Sequence, residues 1–144
     1  MQLLTVNMLT MRNVAPRGKE IGDCVIKALT FICRPSADYS EVESLVMREQ
    51  FKYNPNAIKT GGVSLFKLLG AERKLFGKHF QRVAGLSPYQ PILPQNFLHR
   101  HLNGVYVVQN HNHAYVVKHG EIFDANPTKW GHQILAAWKA TDLA

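Results

Sequence analysis

The side chains in this chain whose types and spacing point to joint chemistry are Cys24, His113 and an acid in "HAYVVKHGEIFDANP", residues 113–127. A thiolate is a nucleophile for carbonyl carbon, and an imidazole beside it can take up the thiol proton and return it to a leaving amine. Cys24 follows Asp23, a good N-cap, and opens an apolar-periodic run, so the spacing predicts it at the first position of a helix. There the free backbone N–H groups and the positive end of the helix dipole favour thiolate over thiol. The same N–H groups suit the oxyanion formed when the sulfur attacks a carbonyl.

His113 needs a partner that fixes its tautomer, and the hairpin pattern supplies two. "HAYVVK" (113–118) and "EIFDA" (121–125) read as strands joined by a two-residue turn at His119-Gly120. That turn pairs Lys118 with Glu121, Val117 with Ile122 and Tyr115 with Asp124, and sets Asn126 opposite His113. Directly opposed side chains share a sheet face, so Asp124 and Asn126 are both candidate orienters. A carboxylate stabilises the imidazolium formed during attack better than a neutral amide does. The tripeptide His111-Asn112-His113 says little as a motif, because contiguity alone carries no chemistry.

The remaining elements have to bring these groups together. "DCVIKALTFI" places Val25, Ala28, Leu29 and Ile32 on one helical face, and Pro35 in "CRPS" stops it. A second helix is expected from Ser40, with the capping box Ser40-x-x-Glu43, to about Phe51. "KYNPNAIKTGG" reads as a loop, and Val63–Leu69 as a short helix halted by Gly70. "KHFQRVAG" reads as a strand, "SPYQPILPQ" as a proline-rich connector, and "QNFLHRH" as a helical turn. "VYVVQ" (105–109) is a third strand of the β-rich region, and "QILAAWK" fits either helix or strand. The first 22 residues look extended or irregular. Helices first and an antiparallel sheet after predicts one α+β domain over residues 1–144.

Composition narrows the classes. With 46% apolar and 19% charged residues the chain is expected to fold rather than stay disordered. No apolar run approaches the ~20 residues of a membrane span. "MQLLTVNMLTMRNV" has no basic residue before its apolar part, so no secretory signal and a cytoplasmic or particle-interior site are expected. The two cysteines, Cys24 and Cys33, would lie roughly 13 Å apart along one helix, too far for a disulfide. Net charge is +7, and between residues 50 and 120 Glu72 is the only acid against nine Lys and Arg. Such a field favours nucleic acid or an acidic protein as a partner; the plainer reading is a solvated basic face.

Taken together, "GDCVIKAL", "YSEV" opening the second helix, "GGV" before the third and "HAYVVKHGEIFDANP" resemble a papain-like cysteine peptidase. The type is the compact one seen in phage genomes, distantly akin to bacteriocin-processing peptidases. The resemblance spans residues 22–127. It implies a papain-like α+β fold, with N-terminal helices carrying Cys24 packed on a C-terminal antiparallel sheet carrying His113 and Asp124. It further implies Cys24 as nucleophile, His113 as base and Asp124 as third member, a protein or peptide substrate and no cofactor; Asn126 stays the alternative third member that the hairpin geometry offers. Papain-like enzymes place a Gln or Asn five or six residues before the cysteine as oxyanion donor; this chain has Gly18 and Lys19 there, which makes Lys19 the candidate donor.

Each assignment has a plainer rival. Cys24 could be a small buried residue, and Cys33 is best read as core. His111 and His113 share a strand face, with His99, His101 or Asp124 as a third ligand, yet no zinc spacing is present and no metal is expected. His79, His99, His101, His119 and His132 read as surface residues. Gly61-Gly62 lacks the Lys-Ser/Thr of a phosphate loop. Two functions therefore stand: a thiol hydrolase of amide bonds, with deamidation or transamidation using the same residues, and a non-catalytic basic module that binds nucleic acid or a host protein.

Overall fold

The computed structural model describes residues 6–7, 24–53, 64–111, 113–124 and 132–143. They form an α+β architecture: helices α1 (Cys24–Cys33), α2 (Tyr39–Tyr53), α3 (Leu65–Leu69) and α4 (Pro94–Arg100), with a seven-stranded sheet. The strands are β1 (Val6–Asn7), β2 (Glu72–Leu75), β3 (Lys78–Arg82), β4 (Val105–Gln109), β5 (Ala114–Lys118), β6 (Glu121–Phe123) and β7 (Ala136–Asp142), in the order β1-β6-β5-β4-β7-β3-β2. Every pairing is antiparallel except β1 with β6, which is parallel. Among the described residues no helix is long and apolar enough to cross a membrane.

Strand alternation divides the apolar side chains into two cores. Val107, Ala114, Val116, Phe123 and Trp138 face α1 and α2, meeting Val25, Ala28, Leu29, Ile32 and Val42. Tyr106, Val108, Tyr115, Val117 and Ile122 face the other way, under Phe97 and Leu98 of α4. The expected apolar face of α1 is present, but the helix is buried more completely than one face requires: Ile26, Lys27 and Thr30 are also buried. Thr30 satisfies its hydroxyl by donating to the Ile26 carbonyl at 2.7 Å, as a buried hydroxyl must. A helix covered nearly all round is held by packing rather than propensity.

Four local expectations change. The cap of α2 is Asp38, not Ser40: the Glu41 N–H donates to Asp38 Oδ1 at 3.0 Å, and the Asp38 N–H donates to Glu41 Oε1 at 3.4 Å. This is a reciprocal box two residues upstream, chosen because Tyr39 thereby enters the helix and packs in the core at 4% exposure. The helix also runs on to Tyr53, through residues read as loop. The second correction is β2, which the basic stretch concealed: its alternating burial is shallow, and a turn at Phe76-Gly77 with φ of 50° and 78° closes the β2–β3 hairpin. The third is β7, undecided from sequence, which lies between β4 and β3 with Ala136, Ala137 and Trp138 fully buried. The fourth is "KHFQRVAG", of which Lys78–Arg82 is strand.

α3 begins at Leu65, two residues later than expected, because Ser64 caps it, with Oγ accepting from the Phe66 N–H at 3.2 Å. Its next N–H, on Leu65, donates to Gln109 Oε1 at 2.9 Å. Gly70, at φ 61°, ends it, and the Gly70 carbonyl accepts from the Trp138 indole at 2.8 Å. The turn between β5 and β6 has His119 at φ 48° and Gly120 at φ 76°, the twist that lets a two-residue loop join strands without splaying them.

Candidate active site

Cys24 is the first residue of α1 and is half-buried. The helix is anchored along β5 by its core face, and Phe31 stacks on Phe123 of β6 with ring centroids 4.7 Å apart. This fixes where the N-terminal end of α1 meets the sheet. It meets it at the head of β5, where the Cys24 thiol is within hydrogen-bonding reach of the His113 ring.

The β5–β6 register is the one the sequence predicts: Lys118 opposite Glu121, Val117 opposite Ile122, and Val116 opposite Phe123. Continuing it sets Asp124 beside Tyr115 and one diagonal step from His113. His113 Nε2 and Asp124 Oδ1 are 2.6 Å apart, the length of a charge-assisted hydrogen bond. Both are buried, at 7% and 1% exposure, so water does not screen them. With Nε2 committed to Asp124, Nδ1 is the ring nitrogen left for the sulfur.

Backbone groups complete the arrangement. The Asn110 N–H donates to the His113 carbonyl at 2.9 Å, which ties the residue to β4. Antiparallel ladders alternate the direction of their N–H groups, so the next one, on Ala114, points to the β6 side. The Ala114 N–H hydrogen-bonds the Cys24 sulfur, as does that of Val25 in the first turn of α1.

The electrostatic result follows from these contacts. Burial pushes the Cys24 thiol up, but the His113 hydrogen bond and charge, with the Ala114 and Val25 N–H groups, outweigh it and hold the thiol below its ordinary value. Burial likewise pushes the His113 imidazolium down. Hydrogen bonds to Asp124 and Cys24 and the charges of both reverse the sign and lift it to about 9. The two shifts act together in favour of a thiolate–imidazolium pair, a single coupled unit rather than two independent groups. Such a pair is equipped for nucleophilic attack followed by proton delivery to a leaving group.

The structure therefore brings Cys24, His113 and Asp124 together from three elements. Lys19, Asn126 and Asp23, the cap expected from sequence, lie outside the described residues. Cys33, at the far end of α1, is fully buried in the core, and burial lifts its thiol to about 11, against a smaller opposing pull from Lys78. Of the histidines read as surface residues, His101 is only half-exposed, packed between Phe97 and Tyr106 with ring centroids at 4.5 and 5.1 Å. Tyr115, not singled out from sequence as a site residue, lies against His113 with ring centroids 6.0 Å apart. Its signal was present: position i+2 on a strand shares the histidine's face.

Among the described residues, part of the basic region is engaged within the protein. Arg73 pairs with Glu49 at 2.9 Å and donates to the Leu68 carbonyl at 2.7 Å. Lys78 pairs with Asp142, His79 with Glu72, and the Arg82 guanidinium lies 4.7 Å over the Phe66 ring. A cavity of about 400 Å³ opens elsewhere, between α4 and the 83–93 segment, lined by Ile92, Asn96, Phe97 and Arg100 among others but by none of Cys24, His113 and Asp124. It is lined by residues of a surface groove and is not where the reactive groups converge. Comparison with protein-family models, with curated proteins and with solved structures gives no match for this chain.

Proposed function

We propose that this protein is a cysteine-dependent hydrolase of amide bonds, most simply a peptidase, on a papain-like α+β scaffold. The observation that carries the reading is the His113–Asp124 hydrogen bond at 2.6 Å in a buried site, with the Cys24 thiol hydrogen-bonded to the same ring. The chain order of helix-borne Cys, strand-borne His and then the acid on its return strand adds support.

The Cys24 thiolate attacks the carbonyl carbon of the scissile amide, and the carbonyl π pair moves to oxygen. The oxyanion is held by N–H groups at the start of α1. As it collapses, the imidazolium of His113 gives its proton to the leaving nitrogen and the C–N bond breaks, leaving a thioester on Cys24. Water then adds to the thioester, its proton passing to His113, and the C–S bond breaks to release the acid and restore the thiolate. Asp124 keeps the ring oriented and stabilises its charged form. An amine in place of water would give transamidation by the same residues.

The test is acylation with p-nitrophenyl acetate, an activated acyl donor, read by nitrophenolate release and by the mass of the modified peptide. The expected result is a burst that acetylates Cys24, followed by slow hydrolysis, with the burst absent in Cys24→Ser. Equal release from wild type and Cys24→Ser sinks the hydrolase reading. The rival reading, a basic binding module, has less behind it at the β2–β3 hairpin, where Arg73 and Lys78 are held by Glu49 and Asp142.

A further inference from the structure

We propose that Tyr115 is a positioning residue: its ring holds the His113 imidazole in the plane that meets Asp124 and keeps water from their hydrogen bond. This rests on the Cys24–His113–Asp124 reading above. Three observations converge on it. The Tyr115 ring faces that of His113, with an interplanar angle of 29°. Tyr115 is 1% exposed, as deeply buried as Asp124 itself. Extending the observed register by one pair beyond Val116–Phe123 sets Tyr115 opposite Asp124, and its place two residues after His113 sets it on the histidine's face.

The physical need for such a residue is specific. The second side-chain torsion of histidine is broad and two-fold, so a single hydrogen bond leaves the ring free to rock out of line. A flat, rigid neighbour removes that freedom. A charge-assisted hydrogen bond is also strong only while water is kept away, since the effective dielectric sets its energy. Tyr115 suits this place because it adds no charge. Burial, and then the Asp124 charge, push its own ionisation well above the usual phenol value, so it stays neutral wherever the pair operates.

The experiment compares Tyr115→Phe, which keeps the ring, with Tyr115→Leu and Tyr115→Met, which fill the space without one. Two readouts are used: the His113 ring titration by NMR, and the pH dependence of Cys24 alkylation by iodoacetamide. Circular dichroism checks folding. Tyr115→Phe is expected to match wild type within about twofold. The Leu and Met variants are expected to lower the His113 pKa by about one unit and Cys24 alkylation at pH 6 by about tenfold, as follows from weakening a charge-stabilising contact. A folded Leu or Met variant with both readouts unchanged overturns the proposal. So does a Tyr115→Phe variant that loses the raised titration, because the hydroxyl and not the ring would then be responsible. Neither readout depends on turnover. Failure of the hydrolase reading shows separately, as a Cys24 that is never acylated beside a His113 that still titrates near its elevated value.

Discussion

Cys24 and Cys33 occupy the first and last positions of the ten-residue α1, and the two ends of this helix give the same side chain opposite properties. At the first position the sulfur meets backbone N–H groups and the His113 ring, and its thiol is held below the ordinary value. At the last it is enclosed by the core, where burial raises the thiol to about 11. Burial acts on both sulfurs in the same direction. What separates them is whether hydrogen-bond donors and a cation accompany the burial. A cysteine in a helix is therefore not reactive or inert by type or by depth, but by which donors the tertiary structure aims at it.

The sharpest way to break this comparison is to take away the charge behind His113. Asp124→Asn keeps size and shape but loses the carboxylate, so it is expected to cut turnover and Cys24 acylation by about 10²–10⁴-fold with the fold retained. Asn126→Ala should cost much less. Acylation rates for both variants, with circular dichroism, decide it; full activity in Asp124→Asn beside an inactive Asn126→Ala would give the third role to Asn126.

A second, smaller effect is selectivity with pH. At pH 6, Cys33 is five units below its pKa of about 11, whereas the Cys24 thiolate persists below its ordinary range. Iodoacetamide at that pH should label Cys24 at least roughly 10²-fold faster than Cys33, as read by peptide mass mapping. The sign on the alkaline side is set by His113. Its pKa is raised to about 9, so the proton needed by the leaving amine is present below that pH, and turnover should fall as pH rises through about 9. The same raised value makes its contribution to folding stability fully present below the unfolded pKa of ~6.5 and lost as pH passes the folded one. Equal labelling of both cysteines would erase the distinction between the two ends.

The smallest effect sharpens the other end. Cys33→Ala removes one buried sulfur from the core without touching His113, so it should cost about 1 kcal/mol of stability in a denaturant titration. Cys24 alkylation should stay as it was. A loss of Cys24 reactivity on this substitution would mean that the helix ends are coupled through α1, against the local account given above.

Much of the site could be read in the sequence because its parts depend on local rules. The apolar run after Asp23 marks the start of α1, and the alternation around His119-Gly120 sets the β5–β6 register that brings Asp124 to His113. The cap of α2 was legible too, but two boxes compete, Asp38-x-x-Glu41 and Ser40-x-x-Glu43, and burial of Tyr39 decides for the first. β2 was hidden for a different reason. An edge strand covered only on one side needs little apolar alternation, and "ERKL" shows almost none. β7 was ambiguous because "AAW" suits helix or strand equally, and its partners lie more than twenty-five positions away along the chain in β3 and β4. Gln109, whose side chain receives the Leu65 N–H, carries no sequence signal for that role.

By itself the sequence determined the α+β class, the helix that begins at Cys24, the hairpin and its register, and so the proximity of Asp124 to His113. These follow from capping, periodicity and turn chemistry, which act over a few residues. Only the tertiary structure decided that the start of α1 meets the head of β5. The nearly complete burial of α1, the packing of Phe31 on Phe123, and the hydrogen bond from the Ala114 N–H to the sulfur all belong to that contact. It is a matter of packing between segments some ninety residues apart, and no local rule reaches that far. The lowering of the Cys24 thiol depends on it, because a pKa responds to the charges, donors and burial around a group and not to its neighbours in the chain.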